Sequence, residues 1–139
     1  VFIDASALVA IVLEEDEMAT LLERIDNYNG KFYVSPLVRF EAAAAIARYH
    51  APEGKKPSKE LFLKAAKIVD DFIHNLGAIE IPISNDIGKL ALETAAKYGK
   101  MVGHKADLNF GDCYAYACAK GNRQKLLYIG NDFKHTDIG

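Results

Sequence analysis

Four short apolar runs, each followed or preceded by a helical stretch, limit what this chain can fold into more than any other feature. Val1–Ile3, Phe32–Ser35, Ala78–Ile83 and Leu126–Ile129 read as strands, and Pro36 closes the second. Pro82 lies inside the third, which makes that strand short or places it at an edge. Between the runs the apolar spacing turns helical. Ser6–Leu13 reads as a buried helix, although periodicity alone does not separate so apolar a run from a strand. Asp16–Ile25 carries Met18, Leu21, Leu22 and Ile25 on one side. Leu37–Tyr49 contains the run Ala42–Ala45, which lets another element approach closely. Ser58–Leu76 repeats Leu61, Ala65, Ile68, Phe72 and Leu76, and Ser84–Tyr98 repeats Ile87, Leu90, Ala91, Thr94 and Ala95. Phe110–Ala119 is the last helix. Asn27–Gly30 and Gly121-Asn122 are turns, Ala51–Ser58 is a surface connection, Gly99–Asn109 an irregular loop and Gly130–Gly139 a polar tail. Alternation of this kind predicts an α/β fold: a parallel or mostly parallel central sheet with helices on both faces. Ligands in such folds bind outside the carboxyl ends of the strands.

With 139 residues the sequence is expected to form a single domain, 1–139, around one hydrophobic core. The net charge of −2 gives no global basic field that would advertise nucleic acid. A charged groove or a bound metal can still supply positive charge locally. Cys113 and Cys118 fall on different faces of one predicted helix, which argues against a mutual disulfide. No CxxC pair is present and His50, His74, His104 and His135 are scattered, so there is no zinc pattern. Buried reduced thiols are the expectation. Ala5–Leu13 is too short to span a bilayer and lacks a basic leader, which points to a cytoplasmic protein.

Four carboxylates occupy equivalent places in the alternation. Asp4 ends Val1–Ile3, and Asp132 follows Leu126–Ile129 through a Gly130-Asn131 turn. Glu41 opens the alanine-rich helix after the second strand, and Asp112 opens the last helix. Each has a plainer reading by itself. Asp4 and Asp112 suit helix caps, Glu41 complements a helix dipole and Asp132 fits turn chemistry. Together they fall on one rim, at the carboxyl ends of the strands. Converged carboxylates repel unless protons or a cation neutralise them. A hard cation such as Mg²⁺ or Mn²⁺ is the usual solution, and phosphate chemistry is its common use.

The residues around these acids resemble a known family. Ile3-Asp4-Ala5-Ser6-Ala7, Glu41-Ala42-Ala43, Leu108-Asn109-Phe110-Gly111-Asp112-Cys113 and Tyr128-Ile129-Gly130-Asn131-Asp132-Phe133, followed by Thr136-Asp137-Ile138, look like a PIN domain. They are most similar to the VapC toxins of bacterial and archaeal toxin–antitoxin pairs, essentially end to end. The motifs at Asp112 and Asp132 are the most specific, and Glu41 rests on its order in the chain. The resemblance implies a PIN-like three-layer sandwich and a metal-dependent endoribonuclease whose acids match Asp4, Glu41, Asp112 and Asp132. Ser6 matches a small hydroxyl residue near the first acid, and Asp137 an additional acid of some members. Also implied are Mg²⁺ or Mn²⁺ as cofactor, structured RNA such as tRNA or ribosomal RNA loops as substrate, a VapB-like antitoxin that blocks the acidic site, and a homodimer. Two stretches depart from the family pattern. His104–Asp107 is more charged than expected, and the Pro52–Pro57 connection, with Lys55 and Lys56, is longer. Both bear on the choice of substrate or antitoxin.

On this reading Asp4 and Asp112 hold the principal ion, while Glu41 and Asp132 complete the cluster. Ser6 bonds a carboxylate or a water, or is simply a helix-start hydroxyl. Lys105, Lys134, His104 and His135 could steer phosphate, but each reads first as solvated surface. Tyr114 and Tyr116 could stack bases, although at least one belongs to the core. A catalytically silent PIN-like module that docks RNA or a protein partner is the alternative. A receiver-like phosphoacceptor would need a mid-chain strand-end Asp and a late strand-end Lys. A haloacid-type phosphatase would need a second Asp where Ser6 stands.

Overall fold

The computed structural model describes residues 1–139. Its strands are β1 (Phe2–Ile3), β2 (Tyr33–Val34), β3 (Ile79–Glu80) and β4 (Leu126–Leu127). They lie in the order β3-β2-β1-β4, and every pair is parallel. Phe2 stands opposite both Tyr33 and Leu126, so the central strand is walled on each side by its neighbours. The strands are shorter than the apolar runs that announce them. Helix caps end two of them: Asp4 follows β1 directly and Ser35 follows β2. After β3 the Ile81 N–H still donates to Val34 O, but Pro82 has no N–H to continue the ladder. As Pro82 predicts, β3 is an edge strand.

The helices are α1 (Ala5–Val12), α2 (Met18–Asp26), α3 (Pro36–His50), α4 (Lys59–Leu76), α5 (Asn85–Tyr98) and α6 (Phe110–Gly121). Side-chain oxygens of Asp4, Ser35, Ser58, Ser84 and Asn109 accept the first free N–H groups of α1, α3, α4, α5 and α6. Each cap satisfies a donor that the helix cannot, which sets where the helix begins. The chain steps from β1 to β2 to β3 in one direction, then returns to the far side of β1 for β4. Right-handed crossovers therefore put α1 to α4 on one face and α5 and α6 on the other. The packing agrees. α3 lies on α1 and α4, α1 on α2, and α5 on α6. This is a three-layer α/β sandwich. The reversal opens a crevice at the carboxyl ends of β1 and β4, and there α3 and α6 meet.

One cluster of buried residues fills both sides of the sheet, with Phe2, Ile3, Leu8, Val34 and Ile46 fully enclosed. Two segments are more ordered than their composition predicts. In Gly99–Asn109 a 3₁₀ turn (Lys100–Val102) forms, Leu108 bridges to Gly99, and Ala106 and Leu108 are buried. In the tail a second 3₁₀ turn (Asp132–His135) drives Phe133 into the core, 5.0 Å from the Tyr128 ring. Arg39 of α3 pairs with Asp70 of α4 and Glu80 of β3, tying the helical hairpin to the sheet edge. No helix is long and apolar enough to cross a membrane.

Candidate active site

The crevice between β1 and β4 gathers acids from four elements. Asp4 leaves β1 and caps α1, and at 6% exposure it is the buried one. Its Oδ2 accepts the Ser6 N–H at 3.2 Å and the Ser6 hydroxyl at 2.6 Å. The same hydroxyl oxygen accepts the Ile129 N–H at 3.1 Å. Ser6 thus orients Asp4 and fastens it to the exit of β4. Asp112 is the third residue of α6 and belongs to a capping box. Its Oδ2 accepts the Asn109 N–H at 3.1 Å, and its own N–H donates to Asn109 Oδ1 at 2.9 Å. Such reciprocal bonds fix the first turn of a helix and the carboxylate within it.

Glu41 sits in the second turn of α3, deeper than a helix-opening position, because the helix already begins at Pro36. Its carboxylate lies against Gly111 of α6, where a Cβ would collide with Glu41 Oε2. Glycine is what permits this approach of α3 to α6. Asp132 is exposed on the 3₁₀ turn anchored by Phe133.

The four acids act on one another electrostatically. Burial raises the Asp4 carboxyl above the usual range, the Ser6 bonds oppose this, and the Asp132 charge adds to the rise. Burial, then Asp4 and Asp112, push Glu41 up to about 7. Burial pushes Asp112 up to about 6 against the Asn109 bond, and Asp4, Asp132 and Asp107 add to it. Like charges in a partly dehydrated crevice disfavour ionisation in this way. Asp107 belongs to the charged His104–Asp107 stretch, but nothing in the sequence marks it as a rim acid. It is non-glycine with φ of +54°, and this backbone turn brings a fifth carboxylate within range of Asp112.

In donor chemistry this set fits a hard divalent cation: the ligands are all carboxylate oxygens, and the site carries surplus negative charge. The spacing of a finished metal site is not formed. No three His, Cys, Asp or Glu side chains are arranged to hold one ion together. The flexible end of Glu41 and the exposed Asp132 are the members with freedom to adjust.

Asp137 does not join the four. It accepts instead from the Tyr116 hydroxyl and pairs with Lys120 at 2.8 Å. Lys120 and the Tyr116 bond hold its carboxyl below the usual range. Tyr116 is the core tyrosine of the pair, while Tyr114 is half-buried. His104 is also structural. Its Nδ1 accepts the Ala106 N–H at 3.0 Å, and its ring meets Tyr98 edge-on. Lys105, Lys134 and His135 are exposed. Cys113 and Cys118 are free and buried, and burial pushes the Cys118 thiol up to about 11.

An acid-lined crevice at the switch point of a short parallel sheet defines a class. The chain belongs to the PIN-domain family, whose model matches residues 1–139. Within that family its relatives are VapC ribonucleases. It is 47% identical over 140 residues to a VapC ribonuclease of Rhizobium meliloti, covering 99% of each chain. It is 31% identical over 136 residues to the ribonuclease VapC28 of Mycobacterium tuberculosis, covering 98% of this chain and 93% of that one. Among solved structures the fold matches M. tuberculosis VapC20, described as a sarcin–ricin loop cleaving toxin, with a TM-score of 0.73 at 15% identity, over 99% of this chain and 95% of that one. A toxin–antitoxin complex from Klebsiella pneumoniae matches with a TM-score of 0.65 at 17% identity, over 98% and 92%.

Proposed function

We propose that this VapC-family chain cuts RNA at the rim formed by Asp4, Glu41, Asp112 and Asp132, and that it is the toxin of a toxin–antitoxin pair. The observation that carries the reading is the convergence of acids from four separate elements in one partly buried crevice, where burial first and neighbouring carboxylates second raise Asp4, Glu41 and Asp112. A fold gains nothing from such repulsion, so a ligand that relieves it is the physical reason to retain it. Asp4 and Asp112 would hold Mg²⁺ or Mn²⁺, with Glu41 and Asp132 completing the set. Bound there, the ion would lower the pKa of a water and offset charge on the phosphate under attack. Ser6 keeps Asp4 turned to the rim, Asn109 fixes Asp112, and Gly111 leaves space for the Glu41 carboxylate.

Structured RNA is the substrate class we favour, because a protein of the same fold is described as a sarcin–ricin loop cleaving toxin. A small antitoxin is the expected partner, as in the K. pneumoniae complex. A homodimer is the expected assembly. Leu92, Met101 and Phe110, exposed by 74%, 85% and 70%, gather round an apolar cavity of about 500 Å³ between α5 and α6 that a second copy would cover. Buried reduced thiols suit the cytoplasm. The unformed ligand spacing favours one second reading, a silent PIN-like docking module. Incubating the purified chain with total RNA, with and without Mn²⁺, beside Asp112→Asn, separates the two. Discrete metal-dependent cuts that vanish in the variant support the nuclease. Equal cutting by the variant refutes the site, and no cutting with any metal favours the docking module.

A further inference from the structure

The acid rim continues into a trough that changes sign along its length. A cavity of about 460 Å³, lined by Ser6, Glu15 and Glu41, follows α3 past Ala44 and Ala45 to Arg48. A second cavity, of about 420 Å³, starts at the same Ala44 and Arg48 and is walled by Lys55, Lys56, Pro57 and Phe62. Glu41, Ala44, Ala45 and Arg48 share one helix face, and the small alanines keep the floor open. Two turns of helix separate the acid end from the basic end by about 10 Å. The backbone at Lys55 is fixed by a turn. The Lys55 N–H donates to Pro52 O at 2.9 Å, closing a turn whose Gly54 has φ of +73°, a geometry that favours glycine. Arg39 is paired with Asp70 and Glu80, Lys67 with Asp71, and Lys120 with Asp137, while the unpaired Lys59 and Lys64 of α4 line neither cavity. Arg48, Lys55 and Lys56 have no ion-pair partner.

We propose that Arg48, Lys55 and Lys56 form a subsite for a phosphate of the RNA strand that flanks the cut. The inference rests on the ribonuclease reading and adds to it the means by which a polyanion settles beside a cluster of carboxylates. Arg48 lies two helical turns along α3 from Glu41, and Lys55 and Lys56 lie beyond it in the second cavity, so the three face the strand to one side of the phosphate being cut. They grip a neighbouring phosphate and register the strand, so the three are positioning residues. RNA suits the trough better than an acidic peptide does. A strand cut at the rim carries a phosphate at every nucleotide, so a flanking phosphate necessarily lies along the trough, whereas an acidic peptide has no such fixed repeat.

The test uses the whole chain of residues 1–139. Binding of a fluorescein-labelled RNA stem-loop is followed by anisotropy over a salt series in the Asp112→Asn background, and cleavage kinetics are followed in the active chain with Mn²⁺. The variant is Arg48→Gln/Lys55→Gln/Lys56→Gln. The control, Lys31→Gln/Lys64→Gln/Lys89→Gln, removes the same charge from positions outside the trough, and unchanged melting curves show that both fold. The subsite predicts weaker binding, a salt slope shallower by roughly 0.7 for each phosphate no longer neutralised, and a raised KM with kcat intact. The charge-retaining variant Arg48→Lys/Lys55→Arg/Lys56→Arg is expected to restore all three. An unchanged slope, an equal weakening in the control, or a fall in kcat alone overturns the proposal. So does intact RNA binding with loss of antitoxin inhibition, which assigns the trough to a protein segment. Failure of the active chain to cut any RNA refutes the ribonuclease reading instead, and the anisotropy slope still reports on the trough.

Discussion

A carboxyl that is partly buried and then ringed by other carboxylates binds its proton more tightly in the folded protein than in the unfolded chain. Burial and neighbouring charge push Glu41 up to about 7 and Asp112 up to about 6, from ordinary values of 4.5 and 3.8. A raised folded pKa contributes stability that is full below the unfolded value and is lost as pH rises through the folded one. The metal-free protein should therefore melt progressively lower between pH 5 and pH 8. Glu41→Gln is expected to recover on the order of 1–2 kcal/mol at pH 8 once solvent screening is allowed for, and nothing at pH 4, while abolishing cleavage. Thermal melts in EDTA at the two pH values decide this, and a variant no more stable than wild type at pH 8 counts against the coupling. Gly111 makes a second prediction at this scale. In Gly111→Ala the new methyl meets the flexible end of Glu41, not backbone, so the carboxylate moves and the fold persists. The melting temperature should shift little while kcat falls severalfold. Collapse of the fold in this variant would mean that Gly111 serves packing and not the site.

Helix starts deliver the site residues, so the caps are where element structure and function meet. Asn109→Ala removes the side-chain oxygen that accepts the Asp112 N–H, leaving only the backbone N–H at 109 to bond the Asp112 carboxylate, and is expected to cost about 1 kcal/mol, seen as a lower melting temperature. Ser84→Ala removes the equivalent cap of α5, whose bond to the Ile87 N–H is 3.2 Å, and should cost a similar amount. Only Asn109→Ala should also lower kcat, because only α6 carries a rim acid in its first turn. Matching kinetic losses in both variants would show that cleavage follows stability alone. The helices are largely legible from the chain, since caps such as Ser58 and Ser84 and the 3.6-residue spacing are local signals. Strand lengths are less so. Two residues of ladder per strand is a matter of overlap with partners, and Phe32–Ser35 cannot announce that Ser35 will cap α3 and leave the strand.

Across the whole molecule the tail closes the crevice from the far side. Phe133 is 2% exposed and anchors the turn that presents Asp132. Phe133→Ala should lower stability by about 3–5 kcal/mol in urea unfolding, with loss of cleavage wherever the turn has detached. Asp137 acts at the same scale, joining the tail to Tyr116 and Lys120 of α6. Its folded pKa is depressed, so its contribution is present above about pH 4 and is lost as pH falls through the lowered value. A separate acid transition, absent in Asp137→Asn, is the signature to look for. Binding of Mn²⁺ to the folded chain alone should raise the melting temperature with concentration, and Asp112→Asn should blunt that rise.

Local order and residue type carry a good part of this protein. Alternating strands and helices, the capped starts of α4 and α5, the edge position enforced by Pro82, and the placement of Asp4, Asp112 and Asp132 after strand or cap signals are all readable along the chain. Each depends on bonds or spacings within a few residues. Tertiary structure alone decided which side chains share a space. It set Glu41 against Gly111, brought Asp107 near Asp112, turned Asp137 toward Tyr116, buried Phe133, and joined Arg48 to Lys55 and Lys56 in one trough. Those partners are distant or unmarked in sequence. Their meeting depends on the crossing of α3 and α6 and on the reversal of the sheet between β1 and β4, where burial and charge are set by three-dimensional packing.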